Sequence, residues 1–170
     1  FSNIDFNNDG IKDIYAFDKT SGRSLCFVNL NSSEGIEYRY APEYEGIFPK
    51  IQNWALLHDF NKDGIEDIFC LPSTPGIPGI EVWRGHRQGN ELSFEKMKSP
   101  FYDVISIPAG NGFTNLYNAI TDVPAIIDVD GDGDTDVLSF ELDGSFLNYH
   151  QNRADEKGLG IDTFVMETRD

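Results

Sequence analysis

Cysteine, methionine, histidine and basic residues are all scarce in this chain. Its two cysteines, Cys26 and Cys70, stand far apart in apolar runs and form no Cys-x-x-Cys pair. That removes the usual zinc constellations and leaves open two buried thiols or a single disulfide. The three histidines, His58, His86 and His150, are scattered, and no Gly-x-Ser-x-Gly, His-Glu-x-x-His or phosphate loop occurs. No catalytic residue is therefore singled out. Thirteen lysines and arginines against 29 acids leave a formal charge of −16 with no basic face, so nucleic acid is not an expected partner. No apolar run approaches the roughly 18 residues of a membrane-spanning helix, so membrane insertion is not expected. No stretch shows helical periodicity.

What the chain has in quantity is aspartate, glycine and aromatic residues, and the aspartates are patterned. Asp128-Val129-Asp130-Gly131-Asp132-Gly133-Asp134-Thr135-Asp136 places five carboxylates in nine residues between two apolar runs. Charges this close make sense around a hard cation that takes oxygen ligands, which points to calcium. Side-chain oxygens at positions 1, 3, 5 and 9 can converge if the loop turns at a glycine in position 6, where the position-7 carbonyl joins them. The pattern recurs in Asp5-Phe6-Asn7-Asn8-Asp9-Gly10-Ile11-Lys12-Asp13 and in Asp59-Phe60-Asn61-Lys62-Asp63-Gly64-Ile65-Glu66-Asp67. Position 2 is apolar each time, and position 9 is always followed by Ile or Val. One such stretch could be a solvated hairpin turn; three with one internal grammar are a repeat.

Calcium loops of the helix–loop–helix type open in the same way but close on a glutamate at position 12 between two helices. Position 12 here is Ala16, Cys70 and Ser139, and the flanks Ile14–Phe17, Ile68–Leu71 and Val137–Phe140 read as strands. Asp-x-Asx-x-Asp-Gly-x-x-Asp between two strands resembles the calcium loop of FG-GAP/VCBS repeats, the blades of integrin-α-type β-propellers. No Gly-Ala-Pro follows the second strand, where the repeats read Ala-Phe-Asp, Cys-Leu-Pro and Ser-Phe-Glu; this favours the broader VCBS-like branch. The resemblance implies an all-β chain of four-stranded antiparallel blades and an extracellular or cell-surface setting. It also implies a calcium ion in each of the three loops. The first would use Asp5, Asn7, Asp9, Asp13 and the Ile11 carbonyl. The second would use Asp59, Asn61, Asp63, Asp67 and the Ile65 carbonyl. The third would use Asp128, Asp130, Asp132, Asp136 and the Asp134 carbonyl. Eleven of the 29 acids are aspartates of these loops, so much of the acidity is ligand charge.

The loops recur after 54 and then 69 residues, a spacing typical of propeller blades. Each repeat reads as four strands: Phe1–Ile4, Ile14–Phe17, Leu25–Leu30 and Ile36–Tyr40; Trp54–His58, Ile68–Leu71, Gly79–Arg84 and Leu92–Lys96; Ala125–Ile127, Val137–Glu141, Ser145–His150 and Asp162–Glu167. Blades are expected at about residues 1–45, 50–100 and 120–170 of one propeller segment. Closed rings need about four to eight blades, so three are expected to belong to a larger, seven- or eight-bladed ring, or to be covered at their ends by another chain. The opening at Phe1, inside an expected strand, fits a piece of something longer.

The extra length in the third period falls in residues 99–124, a Pro/Gly-rich connection carrying Asn111, Phe113, Asn115 and Tyr117. A second such segment, Pro72–Gly79, joins the second and third strands of its repeat. Both connections emerge opposite the acidic loops, on the ligand-binding face that the resemblance implies, although a tolerated insertion explains their length equally well. Trp83, Arg84 and Arg87 form the one basic patch, which could hold an anionic group or be an exposed strand end whose tryptophan packs inward. The expected role is calcium-dependent binding or adhesion to a protein or glycan, without catalysis. The alternatives are the propeller scaffold of a secreted polysaccharide-degrading enzyme, or a structural spacer in a long surface protein.

Overall fold

The computed structural model describes residues 1–169, and its strands form three four-stranded antiparallel sheets and one hairpin. The first sheet runs β1 (Ser2–Ile4), β2 (Asp13–Asp18), β3 (Arg23–Asn29) and β4 (Tyr38–Tyr40). The second runs β5 (Ala55–His58), β6 (Asp67–Cys70), β7 (Glu81–Gln88) and β8 (Glu91–Lys96). The hairpin pairs β9 (Ser106–Ala109) with β10 (Gly112–Asn115). The third sheet runs β11 (Ala125–Ile127), β12 (Asp136–Phe140), β13 (Leu147–Asn152) and β14 (Met166–Arg169). Within each sheet every strand pairs with its sequence neighbour, so no crossover occurs. The sheets do not close on one another.

Two aromatic-rich layers hold the sheets together. Between the first and second, Phe6 stacks on Tyr44 at 5.1 Å, and Phe48 packs against Tyr15 at 4.6 Å and Phe94 at 5.2 Å. Between the second and third, Phe60 stacks on Phe164 at 4.7 Å and meets Phe69 edge-on, over a cluster that includes Trp54, Leu71, Val137 and Met166. Aromatic side chains fill the gap between splayed sheets because each buries a large area with few rotatable bonds.

Four elements differ from the sequence expectation, among them β14, which starts at Met166 and not at Asp162. Pro42–Ile47 forms a short 3-10 helix where only a connection was expected, with proline in its first turn, and it delivers Tyr44 and Phe48 to the first layer. The long connection after the second sheet folds into the β9–β10 hairpin, turning at Gly110-Asn111 with Gly110 at φ +56°. Pro108 and the glycines mask its strand signal in sequence. β7 also continues four residues past the expected end at Arg84. Among the described residues, no helix is long and apolar enough to cross a membrane.

Candidate metal centres

The three acidic loops share one hydrogen-bond plan, which starts from the backbone. Positions 4 and 6 both turn through the left-handed region: Asn8, Lys62 and Gly131 at φ 62°, 58° and 77°, and Gly10, Gly64 and Gly133 at 81°, 88° and 105°. Two such turns wrap the chain around the position-1 aspartate. Asp5 accepts from the N–H groups of Asn8 (2.7 Å) and Gly10 (2.9 Å), and Asp128 accepts from those of Gly131 (2.7 Å) and Gly133 (3.1 Å). Asp59 accepts from the N–H groups of Asp63 (3.1 Å) and Gly64 (2.9 Å).

The position-9 aspartates Asp13, Asp67 and Asp136 have no exposed surface. One oxygen of each accepts the N–H of position 2 (Phe6, Phe60 and Val129, at 2.8, 3.1 and 2.9 Å). The other accepts an N–H of the third strand (Asn29, Gly85 and Asn152, at 2.8, 2.8 and 2.7 Å). Each carboxylate therefore ties three strands of its own sheet together at the loop end. Burial pushes all three above the ordinary carboxylate range, and Asp67 up to about 7, against the backbone donors that pull them down. A buried carboxylate so disfavoured in its charged form is one that a divalent cation would stabilise.

The loops differ in how far their side chains converge. Oxygens of Asp128, Asp130 and Asp136 lie within 4.8 Å of one another. Oxygens on opposite sides of an ion bound at about 2.4 Å stand about 4.8 Å apart, so this all-oxygen group fits one hard cation. Asp132 joins Asp134 and Glu156 in a second group of the same compactness. In the first and second loops position 3 is asparagine, and Asn7 and Asn61 donate their amides to Asp9 (2.8 Å) and Asp63 (3.0 Å). The side chain of Asp134 is buried, and burial together with repulsion from Asp132 and Glu156 lifts its carboxyl to about 6.

The basic patch is dispersed, because neighbouring residues on a strand point to opposite faces. Trp83 packs against Ile51, Ile68 and Cys70 and donates its indole N–H to Glu81 at 2.6 Å. Arg84 lies over the ring of Phe60 and donates to the Asp162 carbonyl at 2.7 Å, and Arg87 donates to the Asp5 carbonyl. Both arginines brace acidic loops. The β9–β10 hairpin does meet the Pro72–Gly79 segment: Asn115 donates to the Pro78 carbonyl, and Ile105 N–H bonds the Ile80 carbonyl at 2.9 Å. Asn111 and Phe113 are exposed there, and Asn115 and Tyr117 are half-buried. Phe113 borders a cavity of about 370 Å³ that is also lined by Leu159, Phe164 and Met166.

Neither that cavity nor a nucleophile–histidine pairing was legible beforehand. Ser139 and Thr168 bond the two ring nitrogens of His150 at 3.0 and 2.9 Å. Among the described residues no carboxylate orients that ring; burial pushes it down to about 4, and the group serves as a cross-strand link. Cys26 and Cys70 are buried and not bridged.

Four-stranded antiparallel sheets stacked face to face, each with an acidic loop between its first two strands, define blades of the β-propeller type. The family model for the FG-GAP-like repeat matches residues 59–139, from the first aspartate of the second loop into β12. Asp5–Asp13 lies outside the match but repeats the same backbone turns and position-9 clamp. No curated protein and no solved structure matches the chain.

Proposed function

We propose that this chain is a calcium-stabilised segment of an integrin-like β-propeller, working in an extracellular or cell-surface setting and binding a protein or glycan without catalysis. The observation that carries the metal reading is the convergence of Asp128, Asp130 and Asp136 on one ion-sized point. Calcium would supply there the positive charge that these carboxylates lack. The first and second loops would take their ions through Asp5, Asn7, Asp9, Asp13 and the Ile11 carbonyl, and through Asp59, Asn61, Asp63, Asp67 and the Ile65 carbonyl. Asn7 and Asn61 would turn their amide oxygens inward to do so. Extracellular calcium is abundant enough for loops of millimolar-type affinity.

The binding surface is assigned to the hairpin face. Phe113 is 56% exposed at the mouth of a cavity walled by leucine, phenylalanine and methionine, which suits an apolar side chain of a protein ligand. A further blade is the expected neighbour of the third sheet. Position 2 is 0% and 1% exposed at Phe6 and Phe60, where the next sheet covers it, and 43% exposed at Val129 on the third sheet. Phe140, Leu142 and Phe146 continue this open apolar face.

Calcium titration by calorimetry, paired with thermal melts in calcium and in chelator, tests the metal reading. Uptake by all three loops and a melting temperature that drops on chelation are expected. No heat and identical melts would reduce the loops to hairpin turns.

A further inference from the structure

The third loop carries one carboxylate more than its own ion requires. Position 7 contributes only a main-chain carbonyl to the expected set, and in the first two loops it is an isoleucine, Ile11 and Ile65. In the third it is Asp134, which is 1% exposed. One of its oxygens accepts the N–H of Asp155 at 3.3 Å; the other, Oδ1, is buried with no hydrogen-bond partner. An aspartate buried this deeply with an orphaned oxygen is costly unless something positive meets it. Its carboxylate lies with those of Asp132 and Glu156, oxygens of all three falling within 4.8 Å.

Protein cations meet only one member of the group. Arg153 pairs with Oε1 of Glu156 at 2.9 Å, and neither Asp132 nor Asp134 forms an ion pair among the described residues. Lys62 reaches the loop backbone beside Gly133 but forms no ion pair among the described residues. The separations match oxygens bound around one calcium-sized ion, by the same geometry that applies to Asp128, Asp130 and Asp136.

We propose that Asp132, Asp134 and Glu156 form a second divalent-cation site beside the third loop, next to the one that Asp128, Asp130 and Asp136 would provide. The proposal rests on the calcium reading of the loops and extends it to residues that the nonapeptide pattern does not include. Its consequence lies in the β13–β14 connection. That segment carries Glu156, and it also supplies Leu159 and Thr163 to the wall of the cavity under Phe113 and Asp162 to the contact with Asn61. A cation here would fasten that wall to the acidic loop.

Calorimetry with calcium alone, on the full chain, is the test. Glu156→Gln and, separately, Asp134→Asn, which keeps the position-7 carbonyl, should each bind one calcium fewer than the unmodified chain. Arg153→Gln removes the ion pair but no carboxylate and should keep the full number; loss of an ion there would assign the effect to the pair and overturn the site. If the unmodified chain binds one calcium per loop and both carboxylate variants match it, the second site is overturned while the loop reading stands. If the unmodified chain binds none, both readings fall.

Discussion

Gly85→Ala is a one-carbon perturbation of β7 that should damage the second sheet and its loop together. A Cβ built on Gly85 would lie 2.5 Å from the Glu66 carbonyl oxygen and 2.7 Å from Cγ2 of Ile65. Ordinary contact needs about 3.5 Å, and the nearer of these atoms belongs to the backbone, so a side-chain rotation cannot relieve the clash. β7 and the loop must move apart. The Gly85 N–H donates to Asp67 Oδ1 at 2.8 Å, and separation breaks that bond. Overpacking costs about 1–3 kcal/mol. Loss of a buried hydrogen bond to a carboxylate adds about 1.5–3 kcal/mol. Against these stands a gain of about 0.4–1 kcal/mol from the stiffer unfolded chain. The expected loss is about 3 kcal/mol in urea melts with unchanged slope. Calcium affinity should fall at the second loop alone, since the Ile65 carbonyl is one of its proposed ligands. Gly112→Ala is the control, because a Cβ there meets nothing within 4 Å and its φ is not positive. A Gly85→Ala chain within about 1 kcal/mol of the unmodified one would refute the close-approach reasoning.

The remaining perturbations probe separate parts of the molecule. Asp67 holds its proton in the folded chain up to about pH 7, against an ordinary 3.8, because burial disfavours its charge. A group whose folded value is raised adds stability at low pH and loses it as pH climbs through the folded value. In chelator the stability contributed by Asp67 should therefore fall between about pH 4 and about pH 7, and Asp67→Asn should flatten that part of the profile. Parallel profiles for the two chains would exclude this. Calcium should oppose the trend, since it binds the ionised form. Phe60→Ala should cost about 3–5 kcal/mol by chemical denaturation and Val129→Ala less than about 1, because only Phe60 is covered by a following sheet. Glu81 is 1% exposed and accepts from Trp83, from the Ser73 N–H and hydroxyl, and from Lys96 at 2.8 Å. Glu81→Ala should cost about 3–5 kcal/mol and loosen the Pro72–Gly79 segment, seen as faster amide exchange there.

The blade plan was legible because it depends on local rules. A glycine at position 6, strand-forming flanks and turn residues between them act over fewer than ten residues, and all twelve expected sheet strands have counterparts in the three sheets. What stayed hidden depends on distant partners. Position 9 read as a metal ligand only, since nothing near Asp13, Asp67 or Asp136 in sequence announces the N–H groups of Asn29, Gly85 and Asn152. Trp83-Arg84-Gly85-His86-Arg87 read as an anion-holding patch or as a strand end with its tryptophan packed inward; Trp83 does pack inward, whereas the carbonyls that Arg84 and Arg87 meet lie far off in sequence. Glu156 lies 20 residues beyond the third loop, outside any nonapeptide pattern. Gly110-Asn111 announced a turn, but Pro108 concealed the strand before it.

The same loop end that gathers the carboxylates also joins sheet to sheet, so the acidic loops are joints between sheets as well as candidate metal sites. The first loop reaches the second sheet through Lys12 to Glu66, the Asp5 carbonyl to Arg87 and Asn8 to Asn90. The second reaches the third through Asn61 to Asp162 and through the Phe60 carbonyl and His58 to Thr135. In both cases the loop leans on a part of the next sheet that lies close to that sheet's own acidic loop. An ion that fixes Asn61 would also fix the partner of Asp162, and an ion on Glu156 would fix the segment from which Asp162 projects. Each proposed ion would thus stiffen the contact surface of its neighbour. Ligand charge, interlocked loops and stacked aromatic layers therefore act on the same two seams between sheets. The third sheet exposes Val129 and Phe140 where such a seam would continue.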